Sequence, residues 1–420
     1  MKKSIFITSI LLLSIIFAGC YSPVFYDIRN DVAPETATVS GNLTSITRYT
    51  VDGTEFIATA ADGGLRYKAI KNNTHGTWLT FPNEDLPFSP HKYDYFSETH
   101  SGEQIIKVLA DSTTLYLVTA SYVNDTSLGT TVVDKIKLYG AEISSFTLNS
   151  KELEEWTAPA EWTEIIGEAE SSTYFPTYIY SYYQFTAFGI FQTNAPQAAH
   201  RKVYIRTGNT SAYSSTYTTV TYYELNGTAA PSEISVTPQE MSANSSSTNN
   251  ANSAVWFKGD VIFFNSLASV TNETYKNDAS YFYYSEGSTV YHSDTAGSKA
   301  SNSLSAGSTV SALMPCADSL IIGRGNFSSS STVSGGIRRT SLTDGLPGTE
   351  LIDFETNASF QISTAYYVTA LINTTPDKNE KASDLYAAIT YMGTGTSTSV
   401  SAKNKGLWSY YPERGNWNRE

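Results

Sequence analysis

Apolar residues along this chain fall in short runs separated by stretches rich in Ser, Thr, Asn and Gly, a spacing of pleated strands and turns rather than of long helices. Two stretches near opposite ends share an order of elements. Glu55-Phe56-Ile57-Ala58-Thr59-Ala60 precedes Gly64-Leu65-Arg66-Tyr67 and Gly76-Thr77-Trp78; Asp384-Leu385-Tyr386-Ala387-Ala388-Ile389 precedes Gly406-Leu407-Trp408-Ser409-Tyr410 and Gly415-Asn416-Trp417. Weaker copies lie between them. Thr114 to Tyr122 precedes Lys135 to Ile143 and Trp156, and Tyr183 to Phe191 precedes Lys202 to Arg206 and Thr219 to Leu225. Asp260 to Ser266 precedes Tyr281 to Ser285 and Thr289 to Ser293, and Ser319 to Gly325 precedes Gly335 to Arg339 and Leu351 to Phe354. With Ile57, Tyr116, Tyr183, Ile262, Leu320 and Tyr386 as equivalent points the spacings are 59, 67, 79, 58 and 66 residues.

A further apolar run precedes each unit: Leu43 to Tyr49, Ile105 to Leu109, Tyr174 to Tyr180, Ala254 to Phe257, Val310 to Met314 and Tyr366 to Ile372. Four short antiparallel strands repeated about six times predict an all-β fold, a β-propeller in which radial closure leaves only short edges. The expected architecture is one propeller over residues 39–420 with six blades, seven being the alternative. A β-helix would need rungs of roughly 20 to 25 residues, a period the chain lacks.

Composition supports strands and narrows the partners. Thirty Tyr and 19 Phe stand beside four Met, 40% of residues are hydrophobic and 16% are charged, a balance that supports a buried core. The formal charge of −13 argues against nucleic acid, whose phosphates need clustered cations.

The first 20 residues carry an address. Lys2 and Lys3 precede Ile5 to Ala18, an apolar run of 14 residues broken by Thr8, Ser9 and Ser14, too short for a membrane span and suited to a secretory signal. It ends in Phe17-Ala18-Gly19-Cys20, which resembles the lipobox of bacterial lipoproteins, with Phe17 in place of the usual Leu as in spirochaete lipoproteins. The resemblance implies cleavage between Gly19 and Cys20, a signal peptide over 1–19, and acylation (palmitate) on Cys20, followed by a tether over 20–38. The protein is then exported and held by its lipid at the outer membrane or cell surface, Tyr21 replacing the Asp of an inner-membrane retention signal. Cys316, the other cysteine, reads as a small buried residue.

Candidate chemistry is sparse. His75, His91, His100, His200 and His292 show no compact metal spacing, no nucleotide or nucleophile motif is present, and no cofactor is expected. Glu152, Glu154, Glu155, Glu164 and Glu168 read as a solvated acidic surface around Trp156 and Trp162. Tyr178, Tyr180 and Tyr182, with Trp156 and Trp162, are the candidate partner-contact residues, because exposed Tyr and Trp suit a protein or glycan face. The expected function is therefore a monomeric, non-catalytic binding or scaffolding module. The alternatives are an envelope assembly factor and a carbohydrate-active hydrolase. Asn72 to Trp78 resembles the Asp-box of sialidase propellers without its Asp, and a site of that kind would need carboxylates and arginines converging at the channel mouth.

Overall fold

A computed structural model describes residues 39, 41, 43–61, 63–71, 74–75, 77–88, 103–125, 130–149, 156–157, 161–175, 189–192, 201–210, 217–233, 239–240, 253–257, 260–264, 269–270, 282–286, 288–293, 299–308, 310–316, 319–325, 335–343, 346–354, 366–374, 384–391, 405–411 and 416–420. Contacts divide the chain into Met1–Ala37 and Thr38–Glu420, and the described residues all fall in the second unit.

The first sheet shows how the sequence builds a blade. Thr47–Val51 and Thr54–Ala61 pair across a two-residue turn, and Gly64–Lys71 continues the meander. Asp52 and Gly53 both have positive φ, 47° and 79°, the turn that matches the twist of paired strands and that Asp-Gly adopts readily. Thr74–His75 and Leu79–Thr80 both pair with the third strand. The last sheet repeats the plan with Tyr366–Asn373, Leu385–Tyr391, Gly406–Tyr411 and Asn416–Arg419.

Among the described residues, seven sheets of three or more strands follow one another in chain order. The second runs from Glu103–Ala110 through Thr114–Asp125 and Thr130–Glu142 to Thr163–Ile166. The third holds Gly189–Gln192, Val203–Thr210, Tyr217–Leu225 and Ser232–Glu233. A fourth extends from Gln239–Glu240 to Ser269–Val270 and a fifth from Phe282–Glu286 to Lys299–Ser305. The sixth holds Val310–Cys316, Ser319–Arg324 and Gly336–Thr343, with two short partners on its third strand. The chain is all-β and arranged as a β-propeller, and the expected count of six blades is not confirmed.

Three strand assignments are corrected. The fourth strand of the second unit is Thr163–Ile166, whereas Trp156 belongs to a separate two-strand ladder. The third unit is displaced by one strand: Gly189–Gln192 is its first, and Val203–Thr210 pairs with it as the second. Tyr174 ends a short helix, Ser171–Tyr174, rather than opening a strand, and residues 176–188 lie outside the described residues. Unit four is split, because Ser253–Phe257 and Asp260–Phe264 lie in one sheet while Phe282–Glu286 and Thr289–Ser293 lie in the next.

Cores form between sheets. Tyr49, Val51 and Phe56 of the first meet Val108, Leu115 and Leu117 of the second, while Leu109, Tyr116 and Val118 on the opposite face meet Ile190, Val203 and Ile205 of the third. Met314 and Ile321 of the sixth meet Val368 and Trp408 of the last. The ring closes where Leu43, Ile57 and Trp78 pack on Ile372, Tyr386 and Leu407. The two Gly-x-Trp tryptophans serve this packing: Trp78 lies in that closing core, and Trp417 stands edge-on to Phe354.

Gly323 marks a close approach between two blades. A Cβ there would lie 2.7 Å from Val368 Cγ1 and 3.0 Å from its Cβ. Gly323→Ala is expected to lower stability by about 1–3 kcal/mol through overpacking, read as a shifted urea midpoint with an unchanged slope.

Candidate functional site

The innermost strands carry polar side chains that the apolar cores cannot hold, and these meet inside the ring. Arg48 lies on the first strand of sheet one and Glu55 on the second, where the pairing of Thr50 with Glu55 and Arg48 with Ile57 sets both on one face. Arg48 Nη1 donates to the Asn373 carbonyl of the last sheet at 2.6 Å and lies 3.7 Å from Glu55 Oε1. Arg201, just before the second strand of sheet three, reaches the same pair. Its Nη1 donates to the Arg48 carbonyl at 3.1 Å and its Nη2 lies 3.5 Å from Glu55 Oε1. Sheet two stands between sheets one and three on the perimeter, so this contact runs through the interior of the ring.

Gln192, at the end of the first strand of sheet three, ties three sheets together. Its amide donates to the Ile46 carbonyl at 2.9 Å, and its Oε1 accepts the Ala110 N–H at 3.2 Å. Lys107 is turned by a bulge between Ile105 and Lys107, and its Nζ donates to the Ile190 carbonyl at 3.2 Å. Burial pushes the Lys107 ammonium down to about 8. The outcome is a buried hub of two guanidiniums and one carboxylate, with a lysine and an amide alongside. Arg48 and Arg201 are 3% and 5% exposed, whereas the Glu55 side chain keeps 15%.

A second polar knot fixes sheets two and three. Asp111 Oδ1 accepts the Thr113 and Thr114 N–H groups, both at 2.7 Å, and the Tyr116 hydroxyl donates to Asp111 Oδ2 at 2.5 Å and lies 3.0 Å from the Gly227 carbonyl oxygen. Burial, followed by the Asp111 charge, holds the Tyr116 phenol well above its ordinary range.

Gly19, Cys20, Tyr178, Tyr180 and Tyr182 lie outside the described residues, and of Trp156 only the strand is described. Trp162 is half-buried, edge-on to Phe81 and Phe146, with Nε1 donating to the Asp85 carbonyl at 3.0 Å. Glu164 and Glu168 do lie near Lys137 and Lys135 on the second sheet. The hub residues were missed. Arg48 was the readable signal, a lone cation inside the strand Thr-Arg-Tyr-Thr-Val; Arg201, 153 residues away in sequence, gave none. Among the described residues, no group of three His, Cys, Asp or Glu could hold a metal ion.

No protein-family model matches the chain, and no curated protein matches it. Solved structures similar to it include the GH43 protein BlXynB (K247S mutant) of Bacillus licheniformis, 10% identical, covering 90% of this chain and 55% of that one with a TM-score of 0.32. An α-L-arabinofuranosidase from Lactobacillus brevis is 9% identical over 90% and 94% of the two chains, with a TM-score of 0.34. Saccharomyces cerevisiae Sqt1 is 8% identical over 84% and 94%, with a TM-score of 0.37. The chain spans about half the length of the first of these. Glycoside hydrolases recur among these neighbours, against the non-catalytic binding or scaffolding module expected from the sequence. Likeness at this level identifies no substrate and no catalytic residue in this chain, so the chemistry rests on its own side chains.

Lys107 makes the hub measurable. Below about pH 8 its ammonium is charged in the folded and the unfolded chain alike, and the cost of burying it is fully felt. From about pH 8 toward 10.5 the folded amine is neutral while the unfolded one still binds a proton, so stability rises with pH, by at most about 1.4 kcal/mol per pH unit. Above about pH 10 the raised phenols of Tyr49, Tyr116 and Tyr139 act in the opposite sense, because the unfolded chain loses those protons first. Urea unfolding of Lys107→Met between pH 7 and 9.5 is expected to show the rise flattened.

Proposed function

We propose that this protein is a carbohydrate-active β-propeller, exported and anchored by lipid on Cys20, which works on glycosides at the hub around Glu55. The observation that carries this reading is the convergence of Arg48 and Arg201 on the Glu55 carboxylate inside the ring. Glycoside cleavage builds positive charge on the sugar ring, and a fixed carboxylate opposite that charge stabilises it. Glu55 is assigned that part, with its exposed fraction turned to the ligand. Arg48 and Arg201 hold its oxygen in place, and the Gln192 amide sets the strands that carry them.

The experiment is a panel of aryl xylosides, arabinofuranosides, galactosides and sialosides offered to the purified protein. Turnover of at least one glycoside is expected, with Glu55→Gln lowering kcat at least 100-fold. A folded protein that turns over no member of the panel overturns the reading.

The anchor is tested separately. Labelled palmitate is expected to enter the wild-type protein and not Cys20→Ser, and the variant should leave the membrane fraction. Equal labelling of both would remove Cys20 as the lipid site.

A further inference from the structure

We propose that the ring opens at the seam between its first and last sheets, and that the Glu420 carboxylate is the clasp that keeps it shut. Between residues 39 and 420 the chain itself crosses from each sheet to the next, but no covalent connection joins the last sheet to the first. Closure there depends on non-covalent contacts alone. The backbone part is small: Val39 N–H donates to the Glu420 carbonyl at 3.0 Å, and the Val39 carbonyl accepts the Leu407 N–H at 3.2 Å.

Beside the Arg48 bond to the Asn373 carbonyl and the Thr369 bond to the Leu43 carbonyl, side-chain contacts converge on one group. Lys68 Nζ and Trp78 Nε1, both on the first sheet's side, each lie 2.6 Å from Glu420 Oε2. The Lys68 and Glu420 side chains are only 4% and 7% exposed. Lys68 Nζ also lies 5.7 Å from the centre of the Trp78 ring and 5.8 Å from that of Tyr386, so a cation held between two aromatic faces reaches from the first sheet to the last.

Removing one partner of such a pair leaves a charge buried without its counter-charge, while replacing both with apolar groups does not. The clasp is therefore cooperative. Local opening at this seam releases Val39 and the outer strands of the last sheet while the other cores persist, because those cores are also joined by the chain.

The test uses the full-length protein with Lys68→Met, Glu420→Gln and the double variant Lys68→Met/Glu420→Met, followed by melting and by hydrogen exchange. Each single variant is expected to lower Tm by roughly 3–6 °C. It should also speed exchange at least tenfold in residues 43–51 and 385–420, while residues 103–142 keep their protection. The double variant should recover most of the loss. Additive losses, or faster exchange spread evenly over all sheets, would overturn the proposal. Wild-type protein in low urea is read in the same way should the single variants fail to fold: seam peptides are expected to exchange first, and earlier exchange elsewhere refutes the clasp.

Discussion

Sheets that are apolar on both faces can be buried only between two neighbours, and that constraint organises this molecule. In the first sheet Phe56 and Ala58 point into the core shared with the second, while Ile57 and Ala61 point into the core shared with the last. In the second sheet Leu117 and Val118 face opposite ways in the same manner. A stack of such sheets would leave an apolar face exposed at each end. Bending the stack into a ring removes both ends, and the cost is a narrow interior where the first strands of the sheets come together.

That interior explains why the polar groups are where they are. Backbone carbonyls on the innermost strands need donors, and side chains from neighbouring sheets supply them: Thr369 donates to the Leu43 carbonyl at 2.6 Å, Lys107 to Ile190, Gln192 to Ile46 and Arg201 to Arg48. The inner strands of the second, sixth and last sheets each carry a bulge, at Ile105/Lys107, Val310/Ala312 and Val368/Ala370. A bulge re-aims side chains along a strand, and in the second and last sheets it presents Lys107 and Thr369 to the adjoining sheet.

The first and last blades were legible in the sequence because Gly-Leu-aromatic and Gly-x-Trp punctuate both, and each of those marks does local structural work. The third was misread because aromatic residues recur through 177–188 with no Gly or Pro among them, so the periodicity could not say which strand came first. The all-β class and the repeat survived that error, since they depend on the pattern of many strands together. The hub could not be read in the same way. Glu55 and Arg201 are 146 residues apart, and what joins them is the curvature of the ring rather than any spacing along the chain. Arg48 alone carried a local signal, a charge where a buried strand calls for an apolar residue.

The contact between Val39 and Glu420 decides how the chain can be rearranged. Val39 and Glu420 are hydrogen-bonded neighbours, so a short peptide could join them and the polypeptide could instead begin at a connection between two other sheets. The ring would then keep every pairing it has now, with its uncrossed joint moved elsewhere on the circumference. Circular order of the sheets, rather than the place where the chain is cut, is what this architecture requires.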